Sequence, residues 1–422
     1  MAELVINKSW SFDSSKRRFV LPYTVELAQG ETYQQMQIIT LSDWCKVVTG
    51  TTTSYQTEIE LSENTGLESR EASITVMAVT SSGNTIVTVY ITQDRFKIYP
   101  IWATQTIRYE TRLNKVKYEV KVGDETVYGG MAYLKPNADF VEIDISKICA
   151  SYLNSSMEGI FDNPQNYNAI DGVKQFSVWI NGVMHGSYLF FNSYTYKVED
   201  EYLREGHNVL LIDPIRKVID RRQYVVLSFF EPFKDTEYSK TIALTTNNGM
   251  AIMPITATLR GRQLYTTLIK ITDDKLDKVS CDDMTFDIKD TNCKYCLYYQ
   301  NALGGWDSFL INGNDKQTDK ITSYKYVKSV DTTTKHFGTK KYLNSITSTY
   351  KLFTDWLTDD EASRMHHLLE STEVYLHNLE DDTIIPVNLT NSSCEYKTFT
   401  NNGRKKFNYT IECEFAQPKI RQ

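Results

Sequence analysis

The sequence predicts a mainly β protein: an N-terminal Ig-like β-sandwich, further β-sandwich domains, and a C-terminal α+β module with one main helix. Three observations lead there. Segments with period-two alternation of apolar and polar residues recur along the chain, separated by Gly- and Asn-bearing turns. One segment near the C-terminus pairs helical periodicity with a cap signature. At 422 residues the chain exceeds one ordinary core, so several domains are expected.

Residues 1–94 read as an Ig-type sandwich. In "REASITVMAVTSSGNTIVTVYITQD", Ile74, Val76 and Ala78 share one face. Val87, Val89 and Ile91 share another, and Ser81-Ser82-Gly83-Asn84 turns the chain. Residues 95–206 read as a second β domain, with "KYEVKVGDETVYGGMAYL" turning at Gly123-Asp124 and a hairpin turning at Asn181-Gly182. Ser146 is expected to cap a short helix carrying Ile148 and Tyr152. Residues 154–172 are polar and turn-rich, and read as a long surface loop or insertion.

Residues 207–270 form a third β segment or domain, and 271–422 a C-terminal β-rich module with a helix near 359–370. There Thr358 and Glu361 have capping-box spacing, and Ala362, Met365, Leu368 and Leu369 make the apolar stripe. "TEVYLHN" and "TIIPVNL" flank the turn Glu380-Asp381-Asp382, and "KKFNYTIECEF" reads as one continuous alternating strand. "CKYCLYYQ" and "WDSFLI" read as a hairpin about Asn301–Gly305, which puts Trp306, Ser308 and Leu310 on one face and Asp307, Phe309 and Ile311 on the other.

The composition excludes several function classes. Net charge is −7, and Arg404-Lys405-Lys406 is a short basic cluster beside the turn at Asn402-Gly403, so no nucleic-acid partner is expected. No apolar run is long enough to cross a bilayer as a helix, so no membrane insertion is expected. The first residues show no signal-peptide pattern, and seven Cys lie mostly far apart, so the expectation is a cytoplasmic, reducing environment with free thiols.

Cys293-x-x-Cys296 has a metal-like spacing, but no second pair follows it. Both cysteines read as strand residues on opposite faces. His366 and His367 lie on the helix without the zincin pattern, and His377 lies on a strand. "INGNDKQTDK" lacks the carboxylate frame of a calcium loop. No catalytic residues, metal or cofactor are expected, and the chain reads as a non-enzyme.

"SDWCKV", "NTGLESREASITVMA" and "VTVYITQD" together resemble the BACON domain, through Trp44, Asn64, Arg70, Ala72, Ile74, Val76, Val87, Val89 and Gln93. The resemblance spans about residues 10–94 and implies an Ig-like module with a carbohydrate-binding role. "YYQNALGGWDSFLINGN", "WLTDDEASRMHHLLESTEVYLHN", "IIPVNLTN" and "FNYTIECEFA" resemble segments of structural tail proteins of Bacteroidetes phages, the crAss-like phages included. That likeness covers roughly 290–420.

Together the resemblances imply a structural component of a tailed-phage virion, in the tail, hub or baseplate, made and assembled in the host bacterial cytoplasm. Its partners would be further copies of itself and other virion tail proteins, with Trp306 and Phe309 as candidate interface anchors. The alternative is a host-adhesion protein that binds surface glycan through Trp10, Trp44 and Tyr55. Trp44 also reads as a core residue of its sandwich. A metal-dependent hydrolase in the middle domains is a third reading.

Overall fold

The computed structural model describes residues 2–14, 16–64, 68–95, 98–103, 106–154, 156–157, 159–162, 168–193, 209–210, 216–230, 237–246, 249–260, 263–281, 284–327, 338–391, 397–401, 404–416 and 419–421. The architecture is mainly β, with two helices among the described residues, Ser146–Ala150 and Asp359–Glu370. No helix among them is long and apolar enough to cross a membrane. The expected boundary around 206–207 lies outside the described residues.

Two four-stranded sheets form the N-terminal sandwich. Gly83 takes φ +140° at its hairpin, and the register sets Ile74 against Val89 and Val76 against Val87, all facing one core with Leu21, Ile59 and Leu61. Next comes a five-stranded sheet whose central hairpin turns at Asn181 (φ 50°) and Gly182 (φ 81°), a connection that needs positive φ at both positions. A further four-stranded sheet and a five-stranded sheet enclose a third core around Phe229, Leu244 and Phe286. The strands Lys278–Cys281 and Met284–Lys289, expected with the last module, belong to this unit. They pair with Glu237–Thr246 and Lys217–Asp220, and bury Val279, Phe286 and Ile288 in its core.

The C-terminal module is an eight-stranded sheet. It curls strongly, because Tyr295, near one edge of the strand order, packs its ring 5.8 Å from Tyr350, near the other. The helix Asp359–Glu370 packs Ala362, Met365 and Leu368 into this core and starts with the expected capping box of Thr358 and Glu361.

Several local expectations are corrected. Ser146 is not the cap: it lies inside its helix, Ile145 is the cap residue, and Asp144 Oδ1 accepts the Ser146 N–H at 3.0 Å. Tyr152 lies past the end of that helix. Within the expected loop 154–172, Met157 and Ile160 are buried, Phe161 packs on Tyr298 and Tyr375, and Asn168–Ile170 forms a strand. The apolar residues dispersed in that polar segment are what plug the space between sheets. The last strand is interrupted at Tyr409: Arg404–Asn408 pairs with Lys397–Asn401, and Thr410–Phe415 joins the large sheet.

Cys293 precedes its expected strand, which begins at Tyr295. The cause is Asp220, whose carboxylate, 1% exposed, grips Arg222 and Thr291, while Arg222 Nη2 donates to the Thr291 and Cys293 carbonyls. Cys296 is fully buried.

One apolar cluster joins the middle and C-terminal units. Ile98, Met157 and Phe191 meet Val226, Phe230 and Leu268 in it, together with Tyr298, Leu303, Trp306 and Tyr375. Trp306 is fully buried there, and Phe309, on the opposite face, lies in the C-terminal core. Two polar chains cross this junction, one buried throughout and one running from buried Tyr298 and His377 out to the exposed Asp382. Lys217 Nζ donates to Asp307 Oδ1 at 2.5 Å, with both side chains 5% exposed or less. Tyr298 Oη accepts the Tyr224 N–H at 2.9 Å and lies 3.1 Å from His377 Nδ1, while His377 Nε2 is 2.8 Å from Asp382 Oδ1. The Tyr298 hydroxyl therefore donates to Nδ1, and the His377 proton sits on Nε2. Lys270 Nζ closes the chain on Asp382 at 2.7 Å.

Lys217→Ala leaves the Asp307 charge buried without its cation, so a loss of about 3–5 kcal/mol is expected in denaturant unfolding. The double change Lys217→Met, Asp307→Leu should recover most of it, because no charge is then stranded. For His377, burial holds the pKa below the ordinary 6.5, against the pull of Asp382. The unfolded chain therefore binds the proton first as pH falls, and stability contributed by the neutral ring is lost from about pH 6.5 downward. His377→Gln should flatten that acid slope in unfolding midpoints between about pH 7.5 and 5.5, leaving the share of His185, which burial also lowers.

Candidate ligand-binding face of the N-terminal sandwich

The structure places the three aromatic candidates on three different elements. Trp10, on the strand Ser9–Phe12, donates its Nε1–H to the Asn7 carbonyl at 3.2 Å and packs on Phe19 at 5.4 Å and Phe12 at 6.2 Å. Its ring is half-buried against the sandwich core.

Trp44 is not inside a strand: it lies in the turn just before Cys45–Val47. The Arg70 guanidinium sits 4.3 Å from its ring centroid and covers one face. Arg70 also donates from Nε (3.0 Å) and Nη2 (2.8 Å) to Gln93 Oε1, and from Nη2 to the Ser62 carbonyl at 2.7 Å. Asn64 Nδ2 bridges the Glu68 and Asp94 carbonyls. Gln93 is fully buried and Asn64 nearly so. Beneath them, burial pushes the Cys45 thiol up to about 11. Trp44, Asn64, Arg70 and Gln93, which carry the family resemblance, thus form a clamp that ties both sheets together at one end.

Tyr55 is 61% exposed, on a turn braced by Thr53 and by the Tyr23 hydroxyl, which donates to the Thr53 or the Gln56 carbonyl, each at 2.9 Å.

The open surface of this domain lies elsewhere. Alternation sends Val89 and Ile91 inward, so Ile86, Thr88 and Tyr90 point out from the same strand. The register extends them into rows: Ser9–Tyr90–Ser73, Thr88–Thr75–Ile39 and Ile86–Met77–Gln37. Tyr90 is 58% exposed, and Ile86 and Ile39 are similarly open. The result is an aromatic ring on a sheet face, flanked by hydroxyls. Sequence reading had the signal for Tyr90 in the alternation it used for the core, but followed only the inward side of the strand.

No shared site emerges around the cysteines and histidines. Among the described residues, no group of three or more His, Cys, Asp or Glu is placed to hold a metal ion, and all six described cysteines are free thiols.

Trp44→Ala removes the stacked ring of the clamp and should cost about 2–3 kcal/mol in thermal or denaturant unfolding. Tyr55→Ala and Tyr90→Ala, being largely exposed, should each change stability by less than about 0.5 kcal/mol.

Comparison with known proteins bears on this domain. No curated protein matches the chain. Among solved structures, a Bacteroides ovatus family 5 xyloglucanase in complex with a XXXG heptasaccharide aligns at 18% identity and TM-score 0.18, over 24% of this chain and 20% of its own. The present chain thus spans a fifth of that enzyme. A three-Ig fragment of titin aligns at 8% identity and TM-score 0.16, over 68% of this chain and 98% of its own. An endo-fucoidan hydrolase of glycoside hydrolase family 107 aligns at 8% identity and TM-score 0.19, over 65% and 42%. At TM-scores this low, none of these likenesses carries an argument about the chain. Residues 38–94, within the N-terminal sandwich, match the family described as "BACON: Putative binding domain, N-terminal".

Proposed function

We propose that the chain is a modular binding protein, in which the BACON-type sandwich takes a neutral saccharide on its outward sheet face and the rest is a rigid mount. The observation that carries this reading is Tyr90, exposed on the outward face of a sheet and neighboured in the register by Ser9, Ser73, Thr75 and Thr88. A sugar ring offers an apolar C–H face to an aromatic ring and hydroxyls to polar side chains beside it. Trp44 and Arg70 serve the fold in this reading, and Tyr55, at a turn of the opposite sheet, takes no part in this face. No catalytic role is assigned to the chain.

A glycan array probed with the full chain tests it. Tyr90→Ala should weaken binding to the sandwich by about tenfold or more with the melting temperature unchanged. Equal binding by wild type and Tyr90→Ala would count against this face.

A second reading, a structural subunit of a tailed-phage virion, is favoured by a different feature. The hairpin Asp315–Val327 with Thr339–Phe353 carries exposed Ile321, Tyr324, Tyr326, Tyr342 and Val327. Lys325 and Lys341 stand directly opposite each other on it, a like-charge pair that an acidic neighbour would relieve. Such an arm suits contact with adjacent subunits. Mass spectrometry of fractionated particles decides this reading, and absence of the chain from purified virions rejects it.

A further inference from the structure

We infer that the chain holds a second saccharide site, in a cleft of about 310 Å³ where the middle unit meets the C-terminal module. The cleft is lined by Trp102, Leu153, Asn154 and Asn192 from the middle unit, and by Gln300, Thr372 and Glu373 from the C-terminal module. Its volume lies at the lower end of the roughly 300–1,000 Å³ typical of small-ligand sites. It stands apart from the N-terminal face and does not depend on that reading.

Trp102 is the central observation. It is 54% exposed, an unusual position for an indole that nevertheless has a fixed orientation. Its backbone N–H donates to the Ser193 carbonyl at 3.1 Å, and its Nε1–H to Asn192 Oδ1 at 2.6 Å. Asn192 is itself held: its N–H donates to the Gly172 carbonyl, and its own carbonyl accepts Gln300 Nε2 at 3.2 Å. The ring is therefore presented ready-made, so binding loses little side-chain entropy at this contact.

The polar groups around it are set from both sides. Gln300, 7% exposed, is anchored by its N–H on Ser371 Oγ at 3.1 Å. Glu373 Oε1 accepts from the Ser156 hydroxyl at 2.8 Å, the Tyr375 hydroxyl at 2.5 Å and the Met157 N–H at 3.3 Å. These bonds position the carboxylate at the cleft wall.

An indole, two Asn, one Gln, one Thr and one carboxylate suit a polyhydroxylated ring. Its C–H face lies on the indole, and its hydroxyls donate to and accept from the amides. Among the described residues no Lys or Arg lines the cleft, and Glu373 repels anions, so the saccharide is neutral rather than a uronic or sialic acid.

The test uses the full chain and titration calorimetry with cello-, xylo- and manno-oligosaccharides, beside their uronic-acid counterparts. Tyr90→Ala isolates the cleft from the N-terminal face, and Trp102→Ala does the reverse. The expected result is that the Tyr90→Ala chain still binds a neutral oligosaccharide, and that adding Trp102→Ala weakens it by about tenfold or more with unchanged melting. Asn154→Ala, at an exposed position, should weaken it less. Loss of all neutral-sugar binding in Tyr90→Ala would overturn the cleft and leave the N-terminal face standing. Binding that ignores Trp102→Ala, or that prefers uronic acids in the Tyr90→Ala chain, would also overturn the cleft. Binding lost in Trp102→Ala alone would instead remove the N-terminal face.

Discussion

Burial of Trp306 and Tyr298 in one shared apolar cluster is the constraint on which the rest of this molecule depends. Both side chains are fully buried, and residues from three sheets converge on them. Burying a side chain of this size stabilises by roughly 1.5–3 kcal/mol, but only if every polar group carried inside finds a partner. The Trp306 N–H donates to Ser228 Oγ at 2.8 Å, and the neighbouring Asp307 takes Lys217. Hydrophobic convergence and buried polar satisfaction are thus two sides of one junction. The tight loop at Asn301–Gly305 serves the same end. Gly304 has φ +91°, and a Cβ there would meet the Asn192 carbonyl at 2.8 Å, so only glycine lets the hairpin approach the middle unit.

The junction accounts for the contrast between the two ends of the chain. Middle and C-terminal units share a core, and shared cores resist relative motion. The N-terminal sandwich encloses its own core and meets the middle unit through polar contacts. Arg17 Nη2 donates to the His185 carbonyl at 2.5 Å and to Asp13 Oδ2 at 3.1 Å. A module joined this way is positioned without being fused, as a displayed binding domain requires. The two candidate saccharide sites differ in support: one lies on an open sheet face, and the other is built from connecting segments at the junction, held by hydrogen bonds such as those of Trp102 and Gln300.

Particular residues show how far sequence reasoning reached. Thr358 and Glu361 lie three residues apart, so their reciprocal capping is a local event and was legible. The turns at Asn181-Gly182 and Ser81-Ser82-Gly83 were legible for the same reason, since each depends on a few adjacent dihedral angles. Met157 and Ile160 were missed because the cluster they join is assembled from distant segments, with Tyr298 and Tyr375, the ring neighbours of Phe161, more than a hundred residues away. Trp44 was recognised as part of a pattern, but its role as a clamp depends on Arg70 covering its ring from another strand while bonded to Gln93. The alternation pointed Tyr90 outward but did not say that its face stays uncovered, and Trp102 carries no local sign of exposure. Nothing next to them in sequence states which face is left open.

The sequence by itself determined the class of structure: period-two alternation, Gly-Asn turns and a single capped helix specify a β-rich, multi-unit chain, because each is set by interactions within a few residues. Tertiary structure alone decided which alternating faces close on each other and which stay open to a ligand. It turned a polar loop into an interdomain plug, set Lys217 against Asp307, and gathered Trp102, Asn192, Gln300 and Glu373 around one cleft. The physical reason is that burial and charge pairing act through space, between residues that chain distance does not bring together.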